Sequence, residues 1–217
     1  DGYSFKVYRN NKQDRSSLSS NDISFLMEDN KGYLWIVNGS RTGLDRFNPD
    51  TETFENFTHD PSDPQSLSSN RLYRASQDSK GNIWICTENA LNLFIPAEKN
   101  EDKKARFEKF RYSGSSAPIT YVFENSKEQL LLFSEYLYYF DPLKKEITNS
   151  GIRLGGNFIR SVIEDDKANV FVGTTYDGII KLEYIEASKT YRKVDPGKIN
   201  VTPENRNCLL RDHNNHI

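Results

Sequence analysis

The chain has 217 residues, with 29 basic and 31 acidic side chains and a formal net charge of −2. This near balance of charge excludes binding to nucleic acid or to an anionic membrane through a strongly basic surface. No apolar run approaches the roughly 18 residues of a membrane-spanning helix, so we expect the segment itself to be soluble. Its length is compatible with one all-β domain.

The strongest pattern in the sequence is an internal repeat. Residues 29–37, DNKGYLWIV, correspond to residues 78–86, DSKGNIWIC, at a constant spacing of 49 residues. The segment Ser17–Asn21 recurs unchanged as Ser66–Asn70. Weaker copies of the turn and the apolar run follow at residues 124–132 and 165–174, and a further copy begins at residue 208. Repeats of this period are typical of propellers and related repeat folds.

Each copy contains four short segments with the composition of β-strands, separated by turns rich in Gly, Asn, Asp and Pro. The second segment is apolar without alternation, which predicts burial on both faces. The fourth alternates between apolar and polar residues, which predicts a half-exposed outer strand. Together these features favour the four-stranded antiparallel blades of a β-propeller. In the first copy the four segments are Ile23–Glu28, Tyr33–Val37, Leu44–Phe47 and Phe54–Phe57.

We therefore expect an all-β chain that forms a single β-propeller region of about four and a half blades. Because an open arc leaves blade faces unpaired, these blades are expected to belong to a larger, seven-bladed ring that the remainder of the same propeller completes. The alternatives are closure by a second fragment or pairing with another copy of the chain. The third copy is degenerate, since it lacks both the Gly and the Trp. The expected parts are the outer strand of a preceding blade at 1–14, blades at 15–64, 65–114, 115–154 and 155–203, and the start of a next blade at 204–217.

The turn that precedes the second segment has two possible interpretations. Asp29 and Gly32 in the first copy, and Asp78 and Gly81 in the second, could belong to a cation-binding loop. A calcium loop, however, needs alternating oxygen ligands over about twelve residues and a closing Glu, which do not follow here. We predict a structural turn, in which the Asp accepts from the backbone and the Gly supplies a positive φ.

The two tryptophans recur at one position of the second segment. Trp35 and Trp84 have apolar neighbours, so packing between blades is favoured over stacking on sugar rings. In the fourth copy Phe171 takes the same position. Cys86 and Cys208 lie three blades apart, which predicts two unbonded, buried thiols rather than a disulfide.

The sequence has no recognisable catalytic or metal-binding motif. Its three histidines, His59, His213 and His216, lack the spacing of a zinc site, and no nucleophile elbow is present. We predict no catalytic residue, no metal and no cofactor for this segment. A propeller lyase or glycosidase, the latter needing two acids that converge in a pocket, remains the least favoured alternative.

The repeat resembles that of the two-component regulator propeller family, and the likeness covers nearly the whole chain. In that family such repeats build seven-bladed propellers, usually two in tandem, in the periplasmic sensor region of hybrid two-component systems from gut polysaccharide-degrading bacteria. A β-sandwich domain, a membrane helix and a kinase follow them. In the first copy the motif comprises Ser17–Asn21, Glu28-Asp29, Gly32, Leu34–Ile36 and Gly43–Pro49.

The resemblance implies a sensory role for the chain. It would form part of the periplasmic ectodomain of an inner-membrane, homodimeric histidine kinase and would recognise an oligosaccharide derived from a polysaccharide. The alternative is a propeller that acts as a scaffold for protein contacts or dimerisation without a small ligand. A scaffold would carry its exposed apolar area on the blade rims or on one face.

The copies differ most in the connection between the second and third segments. In propellers these connections share one face with the outer-to-inner connections, so their side chains would ring one end of the channel. Amides, charges and tyrosines at such a position suit a sugar, although solvated loops are polar in any case. The candidate ligand-binding residues are Arg41, Glu88, Asn89, Tyr136, Tyr176 and Asp177.

Overall fold

A computed structural model describes residues 5–97, 104–112, 117–155 and 158–195. Over these residues the chain forms 16 β-strands and no helix. The strands make four separate sheets, each of four antiparallel strands in sequential order. Each sheet is therefore a simple meander, as the blade of a propeller requires. The chain divides into two compact units, residues 1–111 and 112–217.

Unit 1 holds the first two sheets. Their second strands, β2 and β6, are buried almost throughout, whereas the fourth strand β4 buries Phe54 and Phe57 and exposes its other three residues. The predictions of a buried second strand and a half-exposed outer strand are thus confirmed in the first blade. The strands are β1 Ile23–Glu28, β2 Leu34–Asn38, β3 Leu44–Asn48 and β4 Thr53–Phe57, then β5 Leu72–Gln77, β6 Ile83–Thr87, β7 Leu91–Ile95 and β8 Arg106–Phe110.

Unit 2 holds the other two sheets. The degenerate third copy forms a complete four-stranded sheet although it has neither the Gly nor the Trp. Here again the second strands, β10 and β14, are buried along their whole length. The strands are β9 Tyr121–Glu124, β10 Leu130–Phe133, β11 Tyr136–Asp141 and β12 Glu146–Arg153, then β13 Ile159–Glu164, β14 Val170–Thr174, β15 Ile179–Ile185 and β16 Thr190–Val194.

Two flanking segments were expected to belong to neighbouring blades. Residues 5–14 have turns and irregular backbone and no strand, where an outer strand was expected. Tyr8 still packs on the first blade, with its ring centroid 4.9 Å from that of Phe47 and 5.7 Å from that of Phe54. The expected next blade at 204–217, with Cys208, lies outside the described residues.

The core of unit 1 is an aromatic layer shared by its two sheets. Trp35 of β2 meets Phe94 of β7 edge-to-face at 4.8 Å, and Phe57 of β4 meets Phe107 of β8 at 5.4 Å. Such pairs contribute roughly 0.5–1.5 kcal/mol each beyond the area they bury. Trp35 is 1% exposed and packs between the two sheets of unit 1.

Candidate functional site

The connections of unit 1 lie at two opposite ends of the strands because each sheet is an antiparallel meander. We call the end that carries the β2–β3, β4–β5 and β6–β7 connections the loop end. We call the end that carries the β1–β2, β3–β4 and β5–β6 turns the turn end. The expected ligand site belongs to the loop end, and the Asp-x-x-Gly turns belong to the turn end.

The Asp-x-x-Gly turn is closed by one carboxylate. Asp29 Oδ1 accepts hydrogen bonds from the backbone N–H groups of Lys31, at 2.9 Å, and Tyr33, at 3.0 Å. Asp29 Oδ2 accepts from Trp35 Nε1 at 2.8 Å. Gly32 has a φ of 81°, as the turn interpretation requires. Both carboxylate oxygens are occupied by protein donors, and this supports a structural role for the turn.

The other copies keep this geometry with different residues. Asp78, Asn125 and Asp165 each accept two backbone hydrogen bonds in the same way. Where the third and fourth copies lack the Gly, Glu128 has a φ of 58° and Ala168 a φ of 62°. The positive φ therefore belongs to the turn itself, and glycine is only the residue that adopts it most readily.

A buried polar network behind the loop end has no counterpart in the sequence predictions. Asp45, on β3, is fully buried and accepts hydrogen bonds from the backbone and hydroxyl of Ser19 and from the amides of Asn38 and Asn56. In the second blade Asn92 holds the same place and bonds the backbone and hydroxyl of Ser68. These bonds anchor the Ser-Leu-Ser-Ser-Asn segment and so fix the loop end.

Charged and aromatic side chains meet at the loop end of unit 1. Glu88 lies 3.6 Å from Arg71 in an ion pair, and it accepts a hydrogen bond of 2.8 Å from the Ser69 hydroxyl. The Arg71 guanidinium lies 5.8 Å from the ring centroid of Tyr73. Burial raises the pKa of the Tyr73 hydroxyl, and Glu88 adds to this rise, whereas Arg71 and Arg41 oppose it. We call Arg41, Arg71, Tyr73 and Glu88 the loop-end cluster.

The six predicted ligand residues are divided between the two units of the structure. Glu88 contacts Arg71 and Ser69, and Arg41, which has a positive φ of 56°, lies in the β2–β3 connection. Asn89 donates its amide to the Ser68 carbonyl at 3.3 Å and thereby supports the loop. Tyr136, Tyr176 and Asp177 belong to unit 2, where Tyr176 is 78% exposed.

Two members of the loop-end cluster were missed by the sequence predictions. Arg71 and Tyr73 lie just before and within β5, a segment that was interpreted only as a first strand. A signal was present, because Arg71 stands where the first copy has Asp22. The rule that singled out Arg41 and Glu88, disagreement between copies in a connection, also applies to the residue that precedes the first strand.

Two segments of the chain match a known family. Residues 17–40 and 66–89 match the family model described as the two component regulator propeller. No curated protein matches the chain. Within the described part of the chain, no helix is long and apolar enough to span a membrane. No group of three or more His, Cys, Asp or Glu side chains that could hold a metal ion occurs among these residues.

Solved structures show the same fold. The extracellular domain of a putative hybrid two component system from B. thetaiotaomicron shares 18% identity, with a TM-score of 0.63 over 88% of this chain and 24% of that one. A second structure, described as that of a putative one component system from the same organism, has a TM-score of 0.66, at 18% identity over 93% and 27%. Virginiamycin B lyase from Staphylococcus aureus has 0.61, at 11% identity over 85% and 59%.

These findings agree with the blade architecture. The chain spans about a quarter of the length of the two extracellular domains from B. thetaiotaomicron. At these sequence identities the similarity shows a shared fold and nothing more specific. The resemblance drawn from the sequence is confirmed: two segments of the chain match the model of the two component regulator propeller, and its four sheets are β-propeller blades.

Proposed function

We propose that the chain is part of the periplasmic sensor region of a hybrid two-component regulator and recognises an oligosaccharide released from a polysaccharide. The observation that carries this proposal is the match of residues 17–40 and 66–89 to the two component regulator propeller. The extracellular domain of the putative hybrid two component system, similar over 88% of this chain, supports it. The role proposed for these blades is recognition without catalysis.

The loop end is the surface that we assign to the saccharide. Its cluster combines two guanidinium groups, one carboxylate and one aromatic ring. Glu88 and Arg71 form an ion pair, and the Ser69 hydroxyl donates to Glu88 and accepts from the backbone N–H of Arg71. Sugar hydroxyls need both donors and acceptors, and sugar rings pack on aromatic faces. Tyr136, Tyr176 and Asp177 add two aromatic rings and one carboxylate at the corresponding end of the strands of unit 2.

Signalling would require the ligand to favour one arrangement of the sensor over another. A ligand shifts such an equilibrium only by its difference in affinity for the two states. In the proposed protein these states belong to a homodimer, and the readout is a histidine kinase elsewhere in the same polypeptide.

Thermal unfolding of the complete sensor region, measured against defined plant and host oligosaccharides, tests this function. A ligand present at a hundredfold excess over its Kd stabilises the folded state by about 2.7 kcal/mol. We expect one class of saccharide to raise the Tm. Arg41→Ala and Glu88→Ala should reduce that rise, whereas Lys144→Ala, an exposed change away from the loop end, should leave it unchanged.

A folded, dimeric protein whose Tm no saccharide alters would contradict the proposal. That outcome would favour the scaffold, in which the blades serve contacts between proteins. A rise that survives both loop-end substitutions would retain the sensory role and exclude the loop-end cluster as its site.

A further inference from the structure

The turn end of unit 1 contains a cavity that the proposed function leaves unused. It has a volume of about 680 Å³ and lies between the first and second sheets. We call it the turn-end groove. Its polar and aromatic lining includes Lys31, Tyr33, Arg46, Gln77, Lys80 and Asn82.

The walls of the groove are held together before any ligand arrives. The backbone N–H of Asn30 donates to Gln77 Oε1 at 2.8 Å, and Gln77 Nε2 donates back to Asn30 Oδ1 at 3.0 Å. This reciprocal pair joins the two neighbouring turns across the sheets. Beneath it, Trp35 packs edge-to-face on Phe94 at 4.8 Å. A preformed site of this kind costs little conformational entropy when a ligand binds.

The groove is cationic. The side chains of Lys31 and Lys80 are exposed, and neither ammonium group forms an ion pair with any described residue. The Arg46 guanidinium lies 4.8 Å from the ring centroid of Tyr33 and pairs with Glu55 through one nitrogen. The acid in the lining, Asp29, has both oxygens occupied by the turn and by Trp35. Two ammonium groups, and one guanidinium that is paired with Glu55, therefore line the groove, while the Asp29 carboxylate is already satisfied.

The arginine of the groove distinguishes the first blade from the second. Arg46 pairs with Trp35 across β2 and β3, whereas the residue that pairs with Trp84 in the second blade is Leu93. The arginine lies within the Gly43–Pro49 repeat motif, and in the fourth blade Lys181 holds the same place opposite Phe171. A guanidinium stacked on a tyrosine is a rigid, weakly hydrated donor with a geometry that suits a carboxylate.

We propose that the turn-end groove is a binding site for an acidic saccharide, one whose carboxylate is held by Lys31, Lys80 and Arg46. The anionic character follows from the groove alone, and the choice of a sugar rests on the proposed function. The site lies at the opposite end of the strands from the loop-end cluster. A saccharide chain could therefore be recognised by its charge at one end and by its hydroxyl groups at the other.

Isothermal titration of the complete protein with trigalacturonate and with trimannuronate, each beside its neutral methyl ester, tests the groove. We expect at least one acid to bind, its ester to bind at least tenfold more weakly, and the affinity to fall as salt is raised. Lys31→Ala with Lys80→Ala should weaken acid binding at least tenfold. The matched control is Lys127→Ala with Lys167→Ala, which changes the equivalent turns of unit 2.

Two results would contradict the proposal that the turn-end groove binds an acidic saccharide. These are equal binding of acid and ester, or acid binding that survives loss of Lys31 and Lys80 but is lost in Arg41→Ala with Glu88→Ala. Either result would leave the proposed sensory function standing, as would binding of neutral saccharides alone. Absence of binding by every saccharide, acidic or neutral, would overturn the groove and the proposed function together.

Discussion

Trp35 Nε1 donates a hydrogen bond of 2.8 Å to Asp29 Oδ2, and this bond ties a tight turn to the buried strand that follows it. In the third copy Asn125 stands in place of the Asp and Leu131 in place of the Trp. There the Asn125 amide donates to the Tyr191 hydroxyl instead, at 2.9 Å. In these two copies the turn residue therefore matches its partner, as an acceptor for the indole of Trp35 and as a donor to the hydroxyl of Tyr191.

Asp29→Asn should lower the free energy of unfolding by about 1–3 kcal/mol, because an amide nitrogen would face the buried indole N–H and leave it unsatisfied. Urea denaturation of the complete protein measures the change. Asp50→Asn, in an exposed turn, is the control and should stay within about 0.5 kcal/mol of the parent. In a Trp35→Phe background the indole is absent, so most of the cost of Asp29→Asn should disappear. Additive losses would contradict the role of this bond.

Substitutions at Gly32 and Gly43 distinguish the energetic cost of a left-handed backbone from the cost of a steric clash. Gly32 has a φ of 81°, and a Cβ built there would meet nothing within 4 Å. Gly43 has a φ of 102°, and a Cβ there would lie 2.2 Å from the Phe57 carbonyl oxygen. Gly32→Ala should therefore cost about 1–2 kcal/mol, the penalty of the left-handed region alone. Gly43→Ala should cost more in the same denaturation series, and equal losses would be contrary to this expectation.

The turns that lack glycine are under the same conformational demand. Glu128 has a φ of 58° and an exposed side chain. Glu128→Gly should raise the free energy of unfolding by about 0.5 kcal/mol, because relief of the left-handed penalty exceeds the entropy that glycine loses on folding. Glu128→Ala, which removes the same carboxylate but keeps the Cβ, is the matched control and should not stabilise. A gain in both variants would assign the effect to charge.

The buried acid of the first blade invites a comparison with its neighbour. Asp45→Ala should destabilise the protein by about 3 kcal/mol or more, because the donors of Ser19, Asn38 and Asn56 would lose a buried acceptor together. Asp45→Asn should cost less than half as much, since Asn92 fills the same place in the second blade. Denaturant unfolding of both variants measures the difference. Equal losses would show that the negative charge itself is required.

The fold followed from periodicity, and much of the local chemistry did not. Continuous apolar runs such as Ile83–Thr87 indicate a strand covered on both faces, whatever its neighbours are. From the sequence alone, Asp45 would be taken for a strand residue that faces solvent. Its hydrogen-bond partners are Ser19, 26 residues upstream, and Asn38, seven residues upstream, and no local pattern indicates these contacts. Likewise, the sequence cannot show that the Asn89 side-chain amide donates its hydrogen bond to the Ser68 carbonyl. Groups fixed by tertiary contacts are invisible to a pattern of spacing.

The buried thiol should make stability depend on alkaline pH. Burial raises the pKa of Cys86 from 9.0 to about 12, and Arg74 opposes the rise only in part. Above pH 9 the unfolded chain loses this proton while the folded chain retains it, so the free energy of unfolding should fall as pH rises. The expected slope is about 1.4 kcal/mol per pH unit between the two pKa values.

Urea denaturation between pH 8 and 10 measures this slope, and Cys86→Ala is the variant that isolates it. The substitution leaves a cavity and lowers stability at every pH, yet it removes the titrating group, so the curve should become flatter by the contribution of one proton. Cys208 is replaced by Ser in both proteins so that it contributes nothing to the difference. Parallel curves for the two proteins would show that the Cys86 thiol titrates alike in the folded and unfolded chains, and that it is not buried in solution.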